Sequence, residues 1–281
     1  MTFAALYRRA RESLAAVCGD GAAYEARTLL LTVCGLTDAD FPIALADSAE
    51  LPAETVARVE SLLARRQRRE PLEYLLGRAW FCGLPFSVTP DCLIPQADTE
   101  VVCEQVISHL PQGGRLADLC TGSGCIALAA LTHTKNTTAH GYELSTAALV
   151  VAEKNAEDLG LANRFAPIHA DVLTKDFWAD GEKYDVIVSN PPYIRTEVLE
   201  TLPSEVQAEP RMALDGGTDG LRFYRRLLDV CPVRVREGGA LIFEIGYDQR
   251  DALAALCAER ELSARFVRDF GGNDRVCIIT M

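Results

Sequence analysis

The chain has no run of about 18 apolar residues, the length a helix needs to cross a bilayer. Its first stretch, MTFAALYRRARESLAAVCG, is broken by Arg8, Arg9, Arg11 and Glu12. That pattern reads as a helix and not as a secretion signal, so a cytoplasmic protein with no membrane partner is expected. Ten cysteines form no C-x-x-C pair, and the closest spacing, Cys120 to Cys125, matches no common zinc pattern. Reduced thiols and no metal are expected. Positive charge is also short, with 28 Lys+Arg against 40 Asp+Glu for a net of -12. Residues 1–85 hold ten basic and eleven acidic side chains, so almost all of the excess acid lies beyond them. A protein that grips a nucleic acid duplex normally carries a basic footprint, so no direct nucleic acid partner is expected. The one basic cluster, Arg65-Arg66-Gln67-Arg68-Arg69, closes a predicted helix, where it can complement the helix dipole or touch an acidic partner. None of the four histidines, His109, His133, His140 and His169, sits in a motif. Internal repeats and low-complexity tracts are absent.

What the chain does have is apolar content of 49%, ample for a core. Its 281 residues suit one large domain or a main domain plus a small one. Up to about residue 70, segments such as EARTLLLTVCG and ETVARVESLLARRQRRE place apolar residues at three- and four-residue spacing, which predicts helices. Residues 71–97 switch to short aromatic and β-branched runs split by Gly77 and Gly83-Leu84-Pro85, the mark of a hairpin linker. From residue 98 to 281 strands and helices alternate, from DTEVVCEQVISHL and RLADLC to GALIFEIG and DALAALCAER. That alternation predicts an α/β fold whose mostly parallel sheet is covered on both faces. The closing runs ARFVRDF and RVCIITM, joined through GGND, predict a hairpin and hence an antiparallel strand at one edge.

The first strand of that region runs into Asp118-Leu119-Cys120-Thr121-Gly122-Ser123-Gly124, and Gly122, Gly124 and Ala127 fit G-x-G-x-x-A. Glycines there let the backbone approach a ligand, and the following helix offers free N–H groups. Glu143 ends the second strand, 21 residues after Gly122, where a carboxylate can accept from both hydroxyls of a ribose. The loop suits an adenosine-containing ligand, either a dinucleotide or S-adenosylmethionine, and a plain tight turn has the same pattern. Asp171, after the third strand, stands at the same edge, either to meet the adenine amine or to cap a helix.

The fourth strand, YDVIVS, ends in Asn190-Pro191-Pro192-Tyr193. In a doubly wound sheet this strand can lie beside the first, so the tetrapeptide meets the glycine loop at the point where such sheets bind ligands. The two prolines stiffen the turn and free the Pro191 carbonyl to face a cavity. With the Asn190 carboxamide oxygen it makes two acceptors for the two hydrogens of a planar NH2 group. Tyr193 offers a face on which that group can stack. Accepting both hydrogens orients the nitrogen and weakens its conjugation, so its lone pair can attack a sulfonium methyl in line. The methylated nitrogen is acidic enough to lose its proton to water, so no general base is demanded.

These segments resemble the HemK/PrmC family, S-adenosylmethionine-dependent methyltransferases that act on a release-factor glutamine. The likeness runs almost end to end through CLIPQADTE, DLCTGSG, VSNPPYI, EPRMALDGGTDGLRFYRRLL, GALIFEIG and DFGGNDRV. It implies a small helical substrate-docking domain (1–70), a β-hairpin linker (71–97) and a Rossmann-like methyltransferase domain (98–281) with a seven-stranded sheet. It also implies methyl transfer to the glutamine of Gly-Gly-Gln in class-one peptide chain release factors, with S-adenosyl-L-methionine converted to S-adenosyl-L-homocysteine. On the matching positions, Cys120, Thr121, Gly122, Ser123, Gly124, Glu143, Asp171, Val172 and Asn190 line the cofactor, while Asn190, Pro191, Pro192 and Tyr193 hold the glutamine. Two departures stand out: Cys120 where the family has glycine, and Gln96-Ala97 where it has Arg-Pro. Cys120 costs little if its φ is negative, and Gln96-Ala97 bears on the wall of the substrate pocket. A ribosomal-protein glutamine and the exocyclic amine of a flipped DNA adenine are the alternative acceptors. A nicotinamide oxidoreductase would share the glycine loop but leave the tetrapeptide without a role.

Overall fold

The computed structural model describes residues 1–175, 177–178 and 181–281. Residues 1–77 form one compact unit, which also takes in the segment Pro203–Ala208. Its helices are α1 (Phe3–Cys18), α2 (Ala22–Cys34), α3 (Phe41–Ala46), α4 (Ala53–Gln67) and α5 (Leu72–Leu76). Thr2 starts α1, its hydroxyl accepting from the Ala5 N–H at 3.3 Å. Leu6, Ala10 and Leu14 from α1 join Leu29 and Leu30 from α2 and Val59 and Leu63 from α4 in a core of their own. The basic run at the end of α4 is largely neutralised within this unit. Arg66 is buried and donates to Glu25 at 2.7 and 3.0 Å and to Glu205 at 3.2 Å, Arg69 also reaches Glu205, and Arg65 pairs with Glu70. Arg66 and Arg69 are therefore held by internal carboxylates.

One local reading changes. The run LEYLL, placed by sequence in the hairpin linker, is the helix α5, because it holds no β-branched residue and buries Leu72 and Leu75 in the helical core. The hairpin proper is β1 (Arg78–Phe81) and β2 (Leu84–Ser87). Cys82 and Gly83, at φ 49° and 74°, close it with the left-handed pair of a type I′ turn.

The second unit spans Arg78–Leu202 and Glu209–Met281. After the hairpin come α6 (Ala97–His109), β3 (Arg115–Leu119), α7 (Cys125–His133), β4 (Thr138–Glu143), α8 (Thr146–Asp158), β5 (Phe165–His169) and β6 (Tyr184–Ser189). The one-turn helices α9 (Ser204–Gln207), within the segment grouped with the helical unit, and α10 (Arg211–Leu214) follow. Then come α11 (Arg222–Val230), β7 (Val235–Glu244), α12 (Arg250–Ala258), β8 (Ala264–Arg268) and β9 (Asp274–Thr280). The seven-stranded sheet has the order β5-β4-β3-β6-β7-β9-β8, with β3 to β7 all parallel and β9 antiparallel to both its neighbours. The edge hairpin read from the sequence is β8–β9, and its reversed member is the inner strand. Each face has its own core: Val102, Ile126, Leu128, Val186 and Ile242 on one side, Leu119, Tyr184, Tyr224, Leu241 and Phe243 on the other. Burial on both faces is why these strands read as near-continuous apolar runs. No single helix among the described residues is long and apolar enough to cross a membrane.

Candidate active site

β3 and β6 lie side by side with Leu119 opposite Ser189, and the strand order reverses between them. Their carboxyl ends deliver the glycine loop and the Asn190 turn to one crevice. The Ser189 hydroxyl donates to the Leu119 carbonyl at 2.7 Å and ties the two together.

The loop after β3 turns sharply. Cys120, Gly122 and Gly124 sit at φ 61°, 55° and 79°, so the condition under which Cys120 costs little is not met. The chain needs a left-handed residue there to double back into α7, and a side chain at that φ is strained. Burial, with Glu143 nearby, pushes the Cys120 thiol well above its usual range and keeps it protonated. The Thr121 hydroxyl donates to Asp118 at 2.6 Å, and the Ala127 N–H donates to the same oxygen at 3.3 Å. Burial raises the Asp118 carboxyl to about 7, with the Thr121 hydrogen bond opposing. Its second oxygen and the Ser123 hydroxyl are buried with no hydrogen-bond partner among the described residues. From outside the loop, the buried Asn155 of α8 accepts from the Ser87 N–H at 2.7 Å and donates to the Ser87 and Ser123 carbonyls at 3.1 and 2.9 Å. One amide thus clamps the hairpin and the glycine loop together.

Glu143 ends β4 with both carboxylate oxygens anchored, accepting from the Gly122 N–H at 3.0 Å and the Ser145 N–H at 2.9 Å. Asp171 accepts from the Leu173 N–H at 2.9 Å; it closes a turn, and no helix starts there among the described residues. Both line a cavity of about 350 Å³ together with Cys120, Gly122, Val172, Asn190 and Pro192, and with apolar Leu144 and Phe223. Thr121 and Ser123 line a smaller recess that shares Cys120, Gly122 and Asn190 with it and adds Gln96 and Thr99. Gly124 caps the start of α7.

The tetrapeptide is split by this arrangement. Asn190 and Pro192 face the cavity that holds Glu143 and Asp171, Pro191 is buried, and Tyr193 lines a different cavity of about 460 Å³ beside Gln249 and Arg275. The Tyr193 hydroxyl donates to Glu244 at 3.2 Å, which anchors the phenol end of the ring. Gln249 holds the turn from behind, donating to the Tyr193 and Gly220 carbonyls at 3.0 and 3.1 Å. Gly220, at φ 73°, is forced to be glycine, since a Cβ would lie 2.4 Å from the Tyr193 carbonyl oxygen. Asn190 donates through Nδ2 to Thr99 Oγ1 at 3.5 Å, and Thr99 donates in turn to Glu244 at 2.6 Å. Burial pushes the Glu244 carboxyl up to about 7, opposed by the Thr99 hydrogen bond and by Arg275.

With this geometry in hand, the comparisons with known proteins are specific. The description "PrmC N-terminal domain" matches residues 5–77, and "Methyltransferase small domain" matches residues 97–214. The release factor glutamine methyltransferase of Caulobacter vibrioides is 37% identical over 285 residues, covering 99% of this chain and 96% of that one. That of Moorella thermoacetica is 41% identical over 257 residues, covering 89% and 88%. The chain belongs to this family. A methyltransferase structure from Pyrococcus furiosus aligns over 82% of this chain and 98% of its own at a TM-score of 0.55 and 17% identity, a likeness of fold.

For a member of the release factor glutamine methyltransferase family, the chain carries its two departures differently. Cys120 pays in backbone strain. Ala97 simply occupies the first turn of α6, and Gln96 before it bonds locally, donating to the Ile94 carbonyl at 3.1 Å. Sequence reasoning missed Thr99, Glu244, Asn155 and Gln249. Glu244 carried a signal, a carboxylate at the end of the apolar run ALIF, whereas the other three are ordinary polar residues whose partners lie tens of residues away.

Proposed function

We propose that the protein transfers the methyl group of S-adenosylmethionine to the side-chain nitrogen of the glutamine in Gly-Gly-Gln of class-one peptide chain release factors, leaving S-adenosylhomocysteine. Family membership supports the substrate class. The observation that supports the chemistry is Asn190, which lines the cavity with Glu143 and Asp171 and whose Nδ2 donates to Thr99 Oγ1 at 3.5 Å, so Oδ1 is the atom assigned to the substrate. Glu143 and Asp171 offer carboxylate acceptors suited to ribose hydroxyls and an adenine amine, with Leu144, Val172 and Phe223 as apolar surface for a planar base. The orphaned Asp118 oxygen and Ser123 hydroxyl favour a polar ligand group beside the glycine loop.

S-adenosylmethionine supplies an electrophilic sulfonium methyl. The chain's own part is orientation. Asn190 Oδ1 and the Pro191 carbonyl accept the two amide hydrogens, turning the nitrogen lone pair out of conjugation, and Pro192 keeps the turn rigid. Tyr193 supports the turn from behind. Residues 1–70 are the proposed docking surface for the folded factor, residues 71–97 the linker, and the setting is cytoplasmic. The acid excess disfavours the DNA reading.

Labelled S-adenosylmethionine, the purified protein and a release factor test this reading directly. Label should enter the factor carrying Gly-Gly-Gln and not its Gly-Gly-Ala variant, and Asn190→Ala should abolish turnover while remaining folded. Label entering adenine-containing DNA or a ribosomal protein in preference would replace the substrate assignment.

A further inference from the structure

An asparagine side chain is useful as an acceptor only if its oxygen, and not its NH2, faces the substrate. Something must therefore set which way the Asn190 amide points. Thr99 is buried, and its hydroxyl donates to Glu244 Oε2 at 2.6 Å. With its proton committed to a carboxylate, the Thr99 oxygen can only accept, and the atom 3.5 Å from it is Asn190 Nδ2. The other carboxylate oxygen, Oε1, takes the Tyr193 hydroxyl at 3.2 Å. One buried carboxylate thus holds two of the four residues of the turn, one through Thr99 and one directly.

We propose that Glu244 and Thr99 are positioning residues that fix the Asn190 amide with its oxygen presented to the substrate NH2, and that protonation of Glu244 reverses that polarity. This rests on the methyl-transfer reading for its catalytic consequence, and on the hydrogen-bond chain together with the burial of Glu244 for the switch. A protonated Glu244 donates to Thr99, Thr99 then donates to Asn190, and the amide turns its NH2 toward a substrate NH2. Two donors then face each other and the acceptor pair is lost. The groups around Glu244 leave that equilibrium within reach of neutral pH. Asp98 on α6 opposes its charge and Arg275 on β9 favours it, while the Tyr193 phenol donates to the carboxylate. The Tyr224 hydroxyl of α11 donates to the Glu244 backbone carbonyl, and the Cys125 thiol of α7 is held protonated by burial. Arg275 is shared, bonding Asp269 and Asp98 at 3.0 Å each, so it does not neutralise Glu244 by itself.

The test reads the amide itself. In the full-length nitrogen-15-labelled protein, the Asn190 side-chain NH2 signal is assigned by its disappearance in Asn190→Ala. It should shift with pH in a single step centred near neutrality in the wild type, and the step should vanish in Thr99→Val and Glu244→Gln, whose spectra must otherwise remain dispersed. A signal that does not titrate in the wild type, or titrates equally in Thr99→Val, overturns the proposal. In turnover of a release factor, Thr99→Val should lower kcat about tenfold, the effect of losing one oriented hydrogen bond, with KM for both substrates nearly unchanged. Thr99→Ser should recover most of that loss, and wild-type kcat should rise with pH over the same step. Wild-type kcat in Thr99→Val overturns the catalytic consequence. A wild-type protein that methylates no release factor would sink the functional reading, and the amide titration would still decide the switch.

Discussion

Replacing Glu143 by alanine should cut S-adenosylmethionine affinity by about 30- to 150-fold. Its carboxylate already accepts the Gly122 and Ser145 N–H groups at 3.0 and 2.9 Å, one on each oxygen. A carboxylate has about four lone-pair sites, so two remain for a ribose. Two charge-assisted hydrogen bonds, set against the water they displace, are worth roughly 2–3 kcal/mol, and each 1.4 kcal/mol is tenfold in affinity. The substitution also strips the Gly122 N–H of its partner and lets the glycine loop relax, an effect of the same sign. Glu143→Gln keeps one oxygen for the Gly122 N–H but sets its NH2 against the Ser145 N–H, so it removes the charge and one loop bond together. It should lose at least about tenfold. Calorimetry with S-adenosylmethionine and S-adenosylhomocysteine gives these constants directly, and release-factor binding measured separately should change little. Unchanged affinity in Glu143→Ala would place the ribose elsewhere and refute the reading of the loop.

Asn155→Ala should destabilise the protein by about 2–4 kcal/mol in chemical denaturation, since it strands the half-buried Ser87 N–H and two carbonyls; a loss under about 1 kcal/mol would mean the clamp is dispensable. At Cys120, the glycine variant should be more stable than the alanine variant by roughly 1 kcal/mol, because only glycine escapes the strain of φ 61°. The opposite order, usual at ordinary φ, would show that the loop is not left-handed there. Asp118, raised to about 7 by burial, keeps its proton in the folded state after the unfolded chain has lost it near pH 4. Stability should therefore fall as pH rises from about 4 to 7, by at most about 4 kcal/mol from this group. Asp118→Asn, which keeps the acceptor for Thr121 and Ala127, should flatten that slope, and an unchanged slope would assign it elsewhere.

How much of this was legible in the sequence depends on the range of the interaction. The α/β order, the glycine loop, and the meeting of that loop with the Asn190 turn follow from periodicity and chain order, which are local, plus the rule that ligands sit where a doubly wound sheet reverses. The helix α5 was misread because five residues carry too little pattern to outweigh the punctuation around them. The anchor of Tyr193 was out of reach for a different reason: its phenol bonds Glu244, which lies 51 positions further on. Cys120 shows the limit most sharply. Sequence leaves the sign of φ open there, yet the doubling back of the chain between β3 and α7 requires a positive one, and the strain is tolerated because Asp118, Glu143 and Asn155 hold Thr121, Gly122 and Ser123, the residues that follow it. None of those three is adjacent to it in sequence, and each acts through a hydrogen bond whose other end is backbone or a hydroxyl. Local pattern names the atoms proposed to meet a ligand; apart from Asp118, the residues that aim them are polar side chains distant in sequence, and only the packed sheet brings them into reach.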